Sequence, residues 1–418
     1  MIDKSHPYPG LRPFDFADAE LFFGREDNIL EILDRLETSR FLAVVGSSGS
    51  GKSSIIRARV LPGLQTTMEG DLNAPWKVTI LQPRNNPVAE LALRLQCKEA
   101  LGPFLASEGK TNPWVQATLR QAPVGLMAVL RRAKMPSESK VLIVVDQFEE
   151  LFRFAQEDGA GENDARAFVK LLLEAASQEE FPVYVLLTMR TEFLGACTRY
   201  PGLPDAINNG IYLVPQISYN QVRSAILEPA SAAGVTITER LVNRLINDMG
   251  EDQDRLPLLQ HVLMRLWSDR QDCKSESIDL DNYGRVGRVG EALNKHASEI
   301  FGGFTPPLRK VTEQLFKQIT TVSEANGAAS AHLEATRRRY RHWATGVEDR
   351  DREVPRGRNV VSDSAAGHST GGRDGDRHLA RESNPPMTNP ARMGRRAGAE
   401  SGHVPALARL PVLASFCA

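Results

Sequence analysis

A chain of 418 residues has room for two to three domains, and 41% hydrophobic with 25% charged side chains is the balance of a globular protein with an ample core. A formal net charge of −1 gives no general attraction to nucleic acid or anionic lipid, which sets aside charge-driven binders of either. No apolar run reaches the about 18 residues of a membrane span, and the opening MIDKSHPYPGLRPF lacks a signal-peptide core. Cys97, Cys197, Cys273 and Cys417 show neither CxxC nor metal spacing, so they read as thiols of a reducing compartment, and the expected location is cytoplasmic.

Residues 7–24, PYPGLRPFDFADAELFFG, read as an irregular arm that buries its aromatic side chains against the domain after it. Arg25–Leu36 carries Ile29, Leu30, Ile32, Leu33 and Leu36 at helical spacing. Phe41–Val45 is a short apolar run with the branching of a buried strand. It leads into Gly46-Ser47-Ser48-Gly49-Ser50-Gly51-Lys52-Ser53, which fits G-x-x-x-x-G-K-[ST] at every defined position. Glycines let the backbone curl until successive N–H groups face phosphate oxygens, and the positive end of the following helix adds to that field. The helix is expected over Ser54–Val60 and to stop at Pro62-Gly63. This chemistry assigns Lys52 to the β- and γ-phosphates and the Ser53 hydroxyl to Mg²⁺.

Further strands are expected at Val78–Leu81, Val141–Val145, Val183–Leu187 and Ile211–Val214. Helices are expected at Val88–Leu95, Gly125–Ala133, Ala165–Ala176 and Gln221–Leu227. Alternation of apolar strands with helices predicts an α/β fold, a parallel sheet covered by helices on both faces. In such sheets the ligand lies at the carboxyl ends of the strands. Asp146 ends the run Val141–Val145 and is placed to hold Mg²⁺ through water. Glu149 and Glu150 follow, either of them a candidate general base for the attacking water. The strand ending Thr188-Met-Arg190 sets a cation beside Asp146, either to sense the γ-phosphate or to pair with a carboxylate for structure alone.

From about residue 230 the strand signals stop, and Thr238–Met249, Leu256–Trp267, Glu291–Phe301 and Pro307–Ile319 read as helices, with Thr238 as N-cap of the first. Pro257 fits the first turn of its helix, and His261 on the same helix reads as a packing residue. Residues 331–418 hold fifteen arginines and no lysine, with no apolar periodicity. A frameshifted or otherwise non-native segment, ordinary disorder and a functional basic segment all fit that composition. The expected divisions are 1–24 arm, 25–230 P-loop α/β domain, 231–287 helical subdomain, 288–330 partial winged helix and 331–418 Arg-rich tail.

With these pieces in order the chain resembles the STAND class of P-loop ATPases, and within it the first novel STAND family of bacteria. The features that carry the resemblance are Tyr8-Pro-Gly-Leu-Arg-Pro-Phe14, Phe23-Gly24-Arg25-Glu26, Gly46–Ser53 with Ser54, Asp146-Gln-Phe-Glu149-Glu150, Thr188-x-Arg190 and Leu256-Pro257-Leu-Leu. They span about residues 7–325. The resemblance implies that Gly24, Arg25, Glu26 and Pro257 flank an adenine and that Arg190 stands at the γ-phosphate. It also implies a winged helix, beginning near residue 288, that closes over ADP. The chain departs from the family at Arg255, where a small residue is usual, and no sensor repeats or preceding effector domain are read in it.

The function expected on these grounds is an ATP/ADP switch in which slow Mg²⁺-dependent hydrolysis resets an ATP-driven assembled state. It implies nucleotide-dependent self-association and a signalling partner of unknown identity. Membrane and nucleic acid are not expected partners. A nucleotide-binding fragment that does not switch and a winged-helix DNA-binding regulator are the alternatives. A small-molecule kinase lacks any visible acceptor pocket in the sequence.

Overall fold

The strands of the central sheet are apolar at consecutive positions because both of its faces are covered. The computed structural model describes residues 6–66, 76–105, 112–121, 123–134, 139–154, 159–250, 256–273 and 276–324. Five strands, β1 (Phe41–Gly46), β2 (Lys77–Leu81), β3 (Val141–Val145), β4 (Val183–Arg190) and β5 (Ile211–Leu213), pair in parallel in the order β2-β3-β4-β1-β5. Successive side chains point to opposite faces of a strand. Ala43, Val45, Ile143, Val145, Val185 and Leu187 enter one core, and Leu42, Val44, Leu142, Val144 and Leu186 enter the other. Helices Pro87–Leu95, Gly125–Ala133 and Gly159–Ser177 close the first face through Val88, Leu91, Leu126, Leu130, Phe168 and Leu172. Helix Glu26–Thr38, through Ile29, Ile32 and Leu36, and the helical run after β1 close the second. Each fully buried Val, Leu or Ile contributes about 1.5–3 kcal/mol to this sandwich.

The helical run after β1 corrects one expectation, for it does not stop at Pro62-Gly63. It is α-helical over Lys52–Ile55, π-helical over Ile56–Val60 and α-helical again over Leu61–Thr66. Proline lacks an N–H and its ring crowds the carbonyl four residues back. The wider π turn just before Pro62 accommodates the ring and lets the helix continue.

A third core lies in the helical part that comes after β5. Val222 and Ile226 of helix Tyr219–Ala232 meet Leu241 and Leu245 of helix Glu239–Met249, and Leu259, Val262 and Leu266 of helix Leu256–Cys273. The strand signal does not end at 230 after all. β6 (Thr236–Ile237) and β7 (Ser277–Ile278) form a two-residue parallel pair, too short to show a period in the sequence, and both isoleucines enter this core. Thr238 takes the expected N-cap position of Glu239–Met249, its carbonyl accepting from the Val242 amide (3.0 Å), but its side chain makes no bond to that helix. Its hydroxyl donates instead to Asp279 (2.6 Å), the residue that caps helix Leu280–Val286.

The arm is less irregular than expected and serves two cores. Asp15 caps a 3₁₀ turn over Phe16–Leu21, and Arg12 clasps Asp18 through two hydrogen bonds. Phe14 and Phe22 meet edge to face at 5.2 Å within the sheet core. Tyr8 goes instead to the helical core, beside Trp267, and its hydroxyl donates to the Ile226 carbonyl (2.5 Å).

Phe304 begins a second compact unit, of which helix Pro306–Glu324 is described. No strand comes after Ile278 among the described residues, and the segment expected to be a partial winged helix, 288–330, shows there helix Ala292–Gly302 at the end of the first unit and helix Pro306–Glu324 in the second. The expected tail, 331–418, lies outside the described residues, as does Arg255. Among the described residues no helix is long and apolar enough to cross a membrane.

Candidate active site at the carboxyl edge of the sheet

Parallel register brings the key side chains to one edge. Gly46 lies opposite Arg190 across the β1–β4 pair, and Val145 lies opposite Leu187 across β3–β4. The next residues along, Asp146 and Thr188, therefore emerge side by side next to the loop. The loop needs glycine in specific places. A Cβ on Gly46 would sit 2.9 Å from Ser50 Oγ, and Gly49 and Gly51 have φ of 69° and 87°. Side chains are strained in that left-handed region.

Asp146 is buried and fully engaged. Its Oδ1 accepts from the Ser53 hydroxyl (2.7 Å) and from the Thr188 hydroxyl (2.7 Å), and its Oδ2 accepts from the Arg57 guanidinium (3.0 Å). The Gln147 amide in turn donates to Thr188 Oγ1 (3.0 Å). Gln147 has φ of 56°, a costly value for a non-glycine, and this turn swings the chain back so that Glu149 also faces the edge. Lys52 Nζ donates to the carbonyls of Gly46 (2.9 Å) and Ser47 (2.6 Å) and to Ser50 Oγ (3.3 Å). Burial pulls the Lys52 ammonium below its ordinary pKa, and nearby Glu149 offsets part of that shift.

The structure separates the two glutamates. Glu149 is buried, its Oε1 lies 3.6 Å from Arg190 Nε, and its Oε2 is buried with no hydrogen-bond partner. Glu150 accepts from the Arg84 amide (3.3 Å), and burial raises its carboxyl above the usual range. Arg190 thus does pair with a carboxylate, and that carboxylate belongs to the site.

The Gly24–Glu26 segment is tied to the loop. Arg25 is buried, and its guanidinium donates to the carbonyls of Ser50 (3.1 Å) and Pro215 (3.0 Å) and to Asn28 Oδ1 (3.3 Å). The Glu26 carboxylate accepts from the Gly24 amide (2.9 Å). Ser54 Oγ accepts from the Phe14 amide (3.1 Å), so it serves the arm. Pro257 lies in the first turn of Leu256–Cys273, and the five residues before that helix are outside the described residues. A separate cavity of about 630 Å³, lined by Ser39, Arg40, Phe41 and Lys170 among others, opens at the amino end of β1 and includes none of Gly46–Ser53.

Two site residues escape the sequence reading. Thr188 reads there only as part of a strand-end motif, whereas it shares Asp146 with Ser53. Arg57 carries no motif, although a helical wheel puts residue i+4 on the face of Ser53. The site suits a hard cation. Ser53 Oγ and a carboxylate are oxygen donors of the kind Mg²⁺ takes, and the Ser53 proton already points at Asp146, leaving that oxygen's lone pairs free to ligate. Among the described residues no cluster of three or more His, Cys, Asp or Glu offers another metal site.

The family model described as Novel STAND NTPase 1 matches residues 7–362, past the change of composition at Ser330. Compared with curated proteins, the chain finds no significant match. Among solved structures it is similar to the Walker-type ATPase PABY2304 of Pyrococcus abyssi, at 13% identity over 78% of this chain and 90% of that one, with a TM-score of 0.42. It is also similar to the ORC2 protein of Aeropyrum pernix in its ADP form, at 11% identity over 75% and 83% of the two chains, with a TM-score of 0.44. The ORC1 protein of Aeropyrum pernix in complex with DNA matches at 15% identity over 77% and 78%, with a TM-score of 0.43. At these identities and scores the likenesses bear on neither ligand nor reaction.

Proposed function

The chain belongs to the Novel STAND NTPase 1 family, and from that premise we propose that it is an ATP/ADP switch with slow Mg²⁺-dependent hydrolysis. The observation that carries the reading is the convergence on Asp146. Hydroxyls from the loop (Ser53) and from β4 (Thr188) meet one carboxylate oxygen beside the loop lysine.

Each residue has a part in this reading. Amides of Gly46–Ser53 cradle the phosphates, and Lys52 leaves the Gly46 and Ser47 carbonyls to meet the β- and γ-oxygens. Ser53 and Asp146 hold Mg²⁺, which when bound neutralises charge on the transferring phosphoryl group. Glu149, with its unpartnered Oε2, is the base that takes a proton from water, and Arg190 holds Glu149 and faces the γ-phosphate. Gly24–Glu26 and Pro257 flank the adenine, with Arg25 bracing the loop through Ser50.

Switching arises from differential affinity, because a nucleotide moves the equilibrium only by the difference in its binding to two states. ADP favours a closed chain, and MgATP favours one that self-associates and meets a signalling partner. To test this, purified protein is loaded with ADP, MgATP is added, and released ADP and particle mass are tracked together. Exchange with a rise in mass supports the switch. Exchange at constant mass favours the alternative, a nucleotide-binding module that does not switch, and no nucleotide binding at all refutes both.

A further inference from the structure

Arg57 stands one helical turn beyond Ser53, and both side chains reach the same carboxylate. Oδ1 of Asp146 is taken by the two hydroxyls, and Oδ2 accepts from Arg57 at 3.0 Å. Asp146 is buried while the Arg57 side chain is about a quarter exposed, and this is the ion pair Asp146 makes among the described residues. Oδ2 is therefore the oxygen left for the water shell of a divalent cation, and a guanidinium holds it.

We propose that Arg57 is a built-in competitor for the divalent cation, holding Asp146 Oδ2 and yielding it when a metal–nucleotide complex binds. The proposal rests on the reading of Gly46–Ser53 and Asp146 as a metal–nucleotide site. Competition arises from charge. One carboxylate cannot neutralise both a guanidinium and a divalent cation at the same oxygen, and the two cations repel each other where little water screens them.

The backbone gives Arg57 somewhere to go. It lies in the π turn Ile56–Val60, a less stable geometry than the α-helix on either side and one that recurs at functional sites. Relaxing one residue of that turn rotates one part of the helix against the other by about 100° and draws Arg57 off Asp146. The same stretch is tied to the arm, for Arg59 donates to the Ala19 carbonyl (3.0 Å) and Ser54 Oγ accepts from the Phe14 amide. Release of Arg57 is thereby coupled to the segment whose Tyr8 lies in the helical core. A guanidinium that merely supports the carboxylate has the opposite signature, since its removal weakens metal binding.

The test uses Mn²⁺ as probe, with free Mn²⁺ read by electron paramagnetic resonance on the full chain saturated with ADP. Arg57→Gln is expected to bind Mn²⁺ roughly five- to tenfold more tightly than the unchanged protein, the scale of a partly exposed ion pair. ADP affinity without added metal is expected to stay within about twofold, because the Arg57 side chain engages Asp146 and not the loop. Unchanged or weaker Mn²⁺ binding by Arg57→Gln overturns the proposal. A second measurement needs no variant. In the unchanged protein with ADP, adding Mn²⁺ is expected to raise amide exchange across residues 54–60, and exchange that does not rise overturns the proposal. An unchanged protein that binds ADP but no Mn²⁺ refutes the site reading itself and the proposal with it.

Discussion

Tyr8 and Phe14, six residues apart on one arm, enter different hydrophobic cores, Tyr8 the helical one and Phe14 the one beneath the sheet. The arm is thus a strap across two parts of the protein, anchored at each end by an aromatic ring. Tyr8→Ala is expected to cost about 3–5 kcal/mol, the usual range for losing a buried aromatic side chain. The loss should be local. Amide exchange across Leu256–Cys273 should rise while β1 and β3 stay protected. Tyr8→Phe, which removes only the hydrogen bond to Ile226, should cost about 1–2 kcal/mol.

Gly24 is held by a close approach. A Cβ there would lie 2.3 Å from the Gln221 carbonyl oxygen, and its φ is 85°. Gly24→Ala is therefore expected to destabilise by about 2–4 kcal/mol, combining backbone strain with a clash. Gly234 has a φ of 76° but nothing within 4 Å of its Cβ position, so Gly234→Ala should cost only about 1 kcal/mol. Thermal unfolding of the two variants side by side measures the clash alone.

Acid sensitivity should come from His261. Its ring lies 5.1 Å from that of His296, it is 1% exposed, and its Nε2 is buried without a hydrogen-bond partner. Burial above all, with His296 and Arg265 adding, pushes its pKa down to about 4. The folded state thus refuses a proton that the unfolded chain takes up near pH 6.5. Stability is complete above pH 6.5 and falls as the pH drops toward 4, by about 2 kcal/mol between pH 7 and 5. His261→Leu should flatten that slope in denaturant titrations, and an unchanged slope would place the acid-sensitive group elsewhere.

Asp146→Asn keeps the shape of the site and removes its charge. Metal affinity in the presence of ADP should fall more than about tenfold, since a hydrated divalent cation loses the carboxylate charge beside Ser53. Stability should fall by about 1–3 kcal/mol, because Arg57 loses its counter-ion. Mn²⁺ titration and thermal unfolding check the two effects separately.

The sheet is legible in the sequence because its strands are apolar on both faces and short, so runs such as Val141–Val145 announce themselves by composition and length. The meeting of the loop with Asp146 is legible because each directly follows an apolar run, and parallel strands bring such ends to one edge of the sheet. The unread parts depend on three-dimensional neighbours. Nothing in Gln-Phe-Glu-Glu says which glutamate turns inward. That is decided by the left-handed turn at Gln147, a conformation local propensity does not favour there. The helix runs on past Pro62 because a π turn precedes it, and a π turn has no composition of its own. Thr238 is legible as the N-cap residue, but not the partner of its hydroxyl, which is Asp279, forty-one residues away.

On the proposed reading, Gly46–Ser53 binds a nucleotide through Lys52. The most direct test is native mass spectrometry of the full chain with ADP and with MgATP, alongside Lys52→Ala. The hydrogen bonds of Lys52 Nζ all go to its own loop, so the variant should fold normally. The expected result is one nucleotide per chain for the unchanged protein and roughly hundredfold weaker binding for Lys52→Ala, the scale of losing charge-assisted bonds to phosphate. Equal occupancy in the two proteins would contradict the assignment.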